Sequence, residues 1–173
     1  WPWLHGPSHR RFYSFQGDPS SRYRRESRCG GQHQCRHGAF LEPGFGELLA
    51  RVVEEGTLSA QTDQIDADAY IVCVPTPFRE DHSVDTKYIR AASEALAPYL
   101  KPGALVVLES TSPPGTTEDM ANHLIELRPD LSLNDEDENA IFVAHCPERV
   151  LPGKIMEEME SNDRVIGGLT PRG

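Results

Sequence analysis

The chain has 173 residues, 38% of them hydrophobic, with a formal net charge of −10. That is long enough for one domain with a buried core and too acidic overall for a nucleic-acid-binding protein. No apolar run reaches membrane-spanning length, no signal-peptide core is present and four cysteines do not make a disulfide scaffold, so a soluble, reducing, cytoplasmic setting is expected, with no membrane partner.

The head of the chain differs from its body. Residues 1–38 hold seven Arg against Asp18 and Glu26, a formal +5 that leaves −15 on the remainder. Residues 1–39 contain no Val, Ile, Met, Thr, Lys or Asn, so they lack the branched apolar residues of a buried parallel strand. Cys29, His33, Cys35 and His37 are zinc-ligand types, but their spacing fits no common structural zinc pattern, and no metal is expected. Arg interleaved with Tyr13, Phe15 and Tyr23 has the composition of a base-stacking arm, against which the acidic body weighs.

From Leu41 the pattern changes. "PGFGELLARVVEEG" reads as a turn and a short amphipathic helix ending at Gly56. "AYIVCVPTP" is a buried parallel strand running into a proline loop. "DTKYIRAASEALAPYL" is a helix with Asp85 as N-cap and Tyr88, Ile89, Ala92, Leu96 and Leu100 on one face. "GALVVLES" is a second buried strand, and "GTTEDMANHLIELRP" a helix starting at Thr116 or Thr117 with acidic residues in its first turn. "AIFVAHCPE" is a third strand, "GKIMEEMES" a short helix and "DRVIGG" a fourth strand. Parallel strands are expected near 70–74, 105–109, 141–145 and 164–167, in a Rossmann-like, doubly wound α/β sheet. Ligands in such sheets bind beyond the carboxyl ends of the strands. That directs attention to Pro75–Phe78, Ser110–Thr117 and Cys146–Gly153. Any one of these loops could be ordinary turn chemistry; three alike at equivalent strand ends point to a site.

The runs "VPTPF", "DHSVDTKYI", "LESTSPPGTTE", "CPERVLPG" and "NDRVIGG", together with "LEPG", cover Leu41 to Gly173 with little interruption. They resemble the NAD-dependent nucleotide-sugar 6-dehydrogenases, the family of UDP-glucose and GDP-mannose dehydrogenases. "ERVLPG" favours the branch that acts on UDP-N-acetylmannosamine, with UDP-glucose as the alternative. The resemblance implies two successive hydride transfers to NAD. These turn a sugar C6 alcohol into a carboxylate through a thiohemiacetal and a thioester on a cysteine, in polysaccharide precursor synthesis. It also implies roles: Thr76 and Pro75 beside the cofactor, Thr117 at a helix N-terminus facing it, Thr111 holding the catalytic water, Glu148 as general base for thioester hydrolysis, and Arg149 and Val150 contacting substrate. A Thr hydroxyl and free backbone N–H groups suit such tasks, and a Glu between buried strands suits a base. Without the resemblance, Glu148 and Arg149 would read as a surface ion pair. Cys73 is expected to be inert packing, and Cys146 is a weak candidate for a nucleophile. The family's nucleophilic cysteine, its oxyanion-stabilising lysine and asparagine, its dimerisation segment and its UDP-binding domain are all expected beyond Gly173. The parent enzyme is expected to be a homo-oligomer and this chain alone inactive. A non-catalytic domain binding a nucleotide or a partner is the other reading.

The family's NAD domain opens with a strand and a G-x-G-x-x-G fingerprint, followed by a ribose-binding carboxylate. Residues 1–38 show neither. Read one nucleotide later, however, the TGG codons of Trp1 and Trp3 become Gly-x-Gly without freedom. His5 with Gly6 permits Met or Thr, and Gly6 with Pro7 permits a glycine. His9 to Phe12 permit Thr-Ala-Ala, and Arg22 to Ser27 permit Gly-Ile-Asp-Val-Asn. The expectation is that residues 1–38 are an out-of-frame reading of the first strand, helix and second strand, with 39–173 the remainder of the NAD-binding domain. The head should then leave the first strand's place empty or badly filled, part of the neighbouring apolar faces exposed, and NAD weakly bound.

Overall fold

The structure, a computed structural model, describes residues 12–15, 44–60, 64–81 and 83–173. These fall into two compact units. The larger contains a five-stranded sheet in the order β1 (Phe12–Phe15), β2 (Ala69–Val72), β3 (Leu105–Leu108), β4 (Phe142–His145) and β5 (Gly167–Gly168). β1 to β4 are parallel and in register row by row: Phe15 opposite Val72, Val72 opposite Leu108, and Leu108 opposite His145. The architecture is the expected Rossmann-like α/β sheet.

Alternation along the strands explains the packing. Tyr70 and Val72, Val106 and Leu108, and Val143 point to one face and join Ile89, Ala92 and Leu96 of α2 (Lys87–Leu96) and Met120, Ala121 and Leu124 of α3 (Thr116–Leu127) in one buried cluster. Each Val, Leu, Ile or Met among them contributes about 1.5–3 kcal/mol by leaving water. On the opposite face Ile71, Leu105, Val107 and Phe142 are half-buried.

α2 starts at Lys87 rather than Asp85, yet the Asp85 carboxylate accepts from the Lys87 N–H at 3.1 Å and so caps the helix from just outside. Pro98 ends the regular helix in a 3₁₀ turn, Ala97–Tyr99. Arg128, just after α3, reaches back to the carbonyls of Ala97 and Leu100 at 2.8 and 2.9 Å, tying the two helix ends together. The Tyr70 hydroxyl accepts from the Ala67 N–H and donates to the Tyr99 carbonyl, satisfying the polar tip of a fully buried ring.

Two expectations are corrected. The head does supply a strand: Phe12–Phe15 pairs parallel with β2, so that place is not empty. Its aromatic residues have β propensity without being branched aliphatics. The rest of residues 1–38, including the cysteine–histidine group and the arginines and Tyr23 of the basic arm, lies outside the described residues. The fourth body strand is not parallel. β5 pairs antiparallel with β4, His145 opposite Gly167 and Ala144 opposite Gly168. Its direction follows from two anchors: Arg164 is paired with Glu148, beyond the carboxyl end of β4, and Thr170 and Arg172 bond Asp135, ahead of its start. Gly168 is required here, since a Cβ would lie 2.1 Å from the Gly173 carbonyl oxygen.

The smaller unit holds α1 (Phe45–Glu54), flanked by Gly44 and Gly56 in left-handed conformation, and α4 (Ile155–Ser161) within Arg149–Asp163. Neither helix has a fully buried residue.

Candidate functional site

Because β2, β3 and β4 are parallel, the loops that follow them leave the sheet at the same end. The first, Val74 to Phe78, and the second, Ser110 to Gly115, are knitted together by side chains. Ser110 Oγ accepts from the Val74 N–H at 2.7 Å and donates to the Val74 carbonyl at 2.8 Å. Thr76 Oγ1 donates to the Thr111 carbonyl at 2.8 Å. Ser110 thus extends the β2–β3 ladder where the proline-rich loop cannot supply backbone pairs. The Thr76 hydroxyl has spent its proton on Thr111, so toward a ligand it acts as an acceptor. Pro75 and Thr111 are exposed.

The second loop ends at Gly115, whose φ of +89° turns the chain into α3. A Cβ at Gly115 would meet nothing within 4 Å, so open space lies beside the helix start. Thr116 is buried and Thr117 half-buried at a helix N-terminus, where first-turn N–H groups have no partner inside the helix.

One row past the strand ends stand Cys73, Glu109 and Cys146, held in line by Glu109 N–H to Val72 O and Cys146 N–H to Leu108 O. The Cys73 thiol donates to Glu109 Oε2 at 2.6 Å; it is a polar partner rather than inert packing. Burial pushes the Cys146 thiol up, partly offset by Arg164, while Glu109 and Glu148 add to the rise. At ordinary pH this thiol is protonated and a poor nucleophile, as expected. Glu148 is half-buried and paired with Arg164, Nη1 to Oε2 at 3.0 Å.

The larger unit thus gathers Pro75, Thr76, Thr111, Thr117 and Glu148 beyond the carboxyl ends of the strands. Arg149 and Val150 belong to the smaller unit. Sequence reasoning placed Ser110 in a candidate loop without giving it a role and passed over Glu109 and Arg164; their partners are thirty-six positions away for Ser110 and Glu109 and sixteen for Arg164. A separate groove of about 330 Å³ between α2 and α3, lined by Arg90, Ser93, Thr116 and His123 among others, holds none of the predicted site residues. No helix among the described residues is long and apolar enough to cross a membrane, and no His, Cys, Asp and Glu cluster among them suits a metal ion.

The hydroxyls, the open space at Gly115 and the α3 N-terminus suit a polar dinucleotide at one end of its length. The residues where a glycine fingerprint is expected lie outside those described.

A model of the NAD binding domain of the UDP-glucose/GDP-mannose dehydrogenase family matches residues 32–173, beginning inside the segment read as abnormal. The chain is 51% identical over 134 residues to the UDP-N-acetyl-D-mannosamine dehydrogenase of Salmonella typhi, covering 76% of this chain and 32% of that protein. It is 52% identical over 135 residues to the NDP-N-acetyl-D-galactosaminuronic acid dehydrogenase of Ralstonia solanacearum, covering 77% and 32%. The solved UDP-N-acetyl-mannosamine dehydrogenase of Staphylococcus aureus matches with a TM-score of 0.72 at 35% identity, over 84% of this chain and 34% of that one. The chain spans about a third of the length of these relatives.

Proposed function

Since the chain belongs to the UDP-glucose/GDP-mannose dehydrogenase family, as its NAD-binding domain, we propose that it is the cofactor-binding part of an enzyme that oxidises UDP-N-acetylmannosamine to UDP-N-acetylmannosaminuronate, a precursor for polysaccharide synthesis. The observation that carries this reading is the convergence of Thr76, Thr111, Thr117 and Glu148 at one end of three parallel strands, on the runs that align with dehydrogenases of N-acetylated sugars.

NAD, when bound, supplies the hydride acceptor. Pro75 and Thr76 form the wall beside it, and Thr117 offers a hydroxyl and a helix-terminal N–H. Thr111 holds a water, and Glu148 takes its proton as it attacks the acyl group. Arg149 and Val150 address the sugar nucleotide. The nucleophilic cysteine, the UDP-binding domain and the dimerisation segment belong to the full-length protein, which acts as a homo-oligomer in the cytoplasm. The comparable identity to the Ralstonia enzyme supports a second reading, in which the sugar is an N-acetylgalactosamine nucleotide.

The test is NADH formation by the full-length protein with UDP-N-acetylmannosamine, UDP-N-acetylgalactosamine and UDP-glucose. Two NADH per molecule of the first are expected; oxidation of UDP-glucose alone would overturn the reading. The out-of-frame reading of residues 1–38 has its own test. Shifting that segment by one nucleotide and resuming the original frame near Phe40 should tighten NAD binding about tenfold or more by calorimetry, and equal binding would end it.

A further inference from the structure

We propose that Arg164 is a positioning residue for Glu148, holding its carboxylate in the orientation in which it takes a proton from water. The inference rests on the reading of Glu148 as that base. β5 pairs antiparallel with β4, and its register, His145 opposite Gly167, carried three residues further sets Arg164 opposite Glu148. The side chains complete that pairing: Nη1 of Arg164 donates to Oε2 of Glu148 at 3.0 Å, with both side chains about two-thirds buried. The far end of the same segment is fixed separately, by Thr170 and Arg172 on Asp135. β5 therefore has a second anchor that does not involve Arg164, and a partly exposed ion pair contributes little to stability. Its use lies in what it does to Glu148. A carboxylate on a rotatable stem samples many orientations, and a planar guanidinium bonded to one oxygen arrests that rotation. Arg164 is also the counter-charge in an acidic cluster. Its guanidinium acts on the Cys146 thiol beside both Glu148 and Glu109, and Glu109 in turn accepts from Cys73.

The experiment uses the full-length protein and follows NADH from the first turnover into the steady state, with Glu148→Gln, Arg164→Met, Arg164→Lys and the Glu148→Gln/Arg164→Met pair. If Glu148 acts in acyl hydrolysis, Glu148→Gln keeps the first-turnover burst and loses steady-state turnover. Should Glu148→Gln turn over normally, the reading of Glu148 falls, whatever Arg164 does. Granted that reading, Arg164→Met should keep the burst and kcat/KM, and lower kcat about ten- to a hundredfold with KM falling in step, the cost of a misplaced catalytic group in the hydrolysis step alone. Arg164→Lys should recover part of kcat, and the double variant should be no slower than Glu148→Gln alone. Full turnover in Arg164→Met beside a slowed Glu148→Gln would overturn the proposal. So would loss of the burst together with a lowered melting temperature in both Arg164 variants, because that result makes Arg164 a structural residue.

Discussion

The inward face of the sheet and its carboxyl-end rim are built from the same three strands by different physics. On the face, Tyr70, Val72, Val106, Leu108 and Val143 meet the apolar stripes of α2 and α3 and are almost wholly buried. Stabilisation there scales with area and is shared among many neighbours. At the rim, Ser110, Thr76, Glu109 and Glu148 are half-buried, and each is placed by one or two directed hydrogen bonds. The face can lose a methylene and still be the same sheet. At the rim each contact is directed, so one missing hydroxyl leaves a particular N–H or carbonyl unbonded. Apolar burial and directed hydrogen bonding therefore separate along the length of a strand, within two or three residues.

The sharpest way to break this contrast is a core truncation. Leu124→Ala removes a fully buried side chain of α3 and should cost about 2–5 kcal/mol, read from denaturant unfolding of the chain, while kcat of the full-length protein changes little. If kcat fell in proportion, face and rim would not be separable. Next comes Ser110→Ala, which leaves the Val74 N–H without its acceptor and should cost about 1–3 kcal/mol. Its effect on NAD binding by calorimetry should exceed that of Leu124→Ala, reversing the order of the stability losses. Gly115→Ala meets no neighbour but puts a side chain at φ +89°, so it should cost about 1–2 kcal/mol and weaken NAD binding through the tilt of the α3 start.

The smallest effect tests the entrance to α2, away from both regions. Hydrogen bonding to the Lys87 N–H, with help from Lys87 and Arg79, holds the Asp85 carboxyl below its ordinary value. A depressed folded value contributes stability above the unfolded value, about 4, and loses it as pH falls through the folded one. Asp85→Asn should therefore trail the parent in melting temperature at neutral pH and converge with it in acid. A constant gap across pH would show that the carboxylate's charge has no part in capping.

Strand and helix identity in the body was legible because each segment carries its own period: "YIVCV" and "LVVLE" are short apolar runs closed by proline or polar residues, and "TTEDMANHLIEL" repeats its apolar positions at helical spacing. That Pro75, Thr76, Thr111, Thr117 and Glu148 belong to one end of a sheet followed from the same alternation, because parallel strands joined by helices must release their loops on the same side. Three matters were decided only in three dimensions. The direction of β5 depends on anchors at Glu148 and Asp135, and a run such as "DRVIGG" carries no sign of which way it will be pulled. The strand at Phe12–Phe15 lies in a segment whose composition argues against one, and what places it is the ladder that β2 offers along its edge. The partners of Ser110, Glu109 and Arg164 were invisible for a common reason: a hydrogen bond between residues sixteen to thirty-six positions apart leaves no periodic trace in the sequence, and it exists only once the backbone has brought the two strand ends within about 3 Å of each other's side chains.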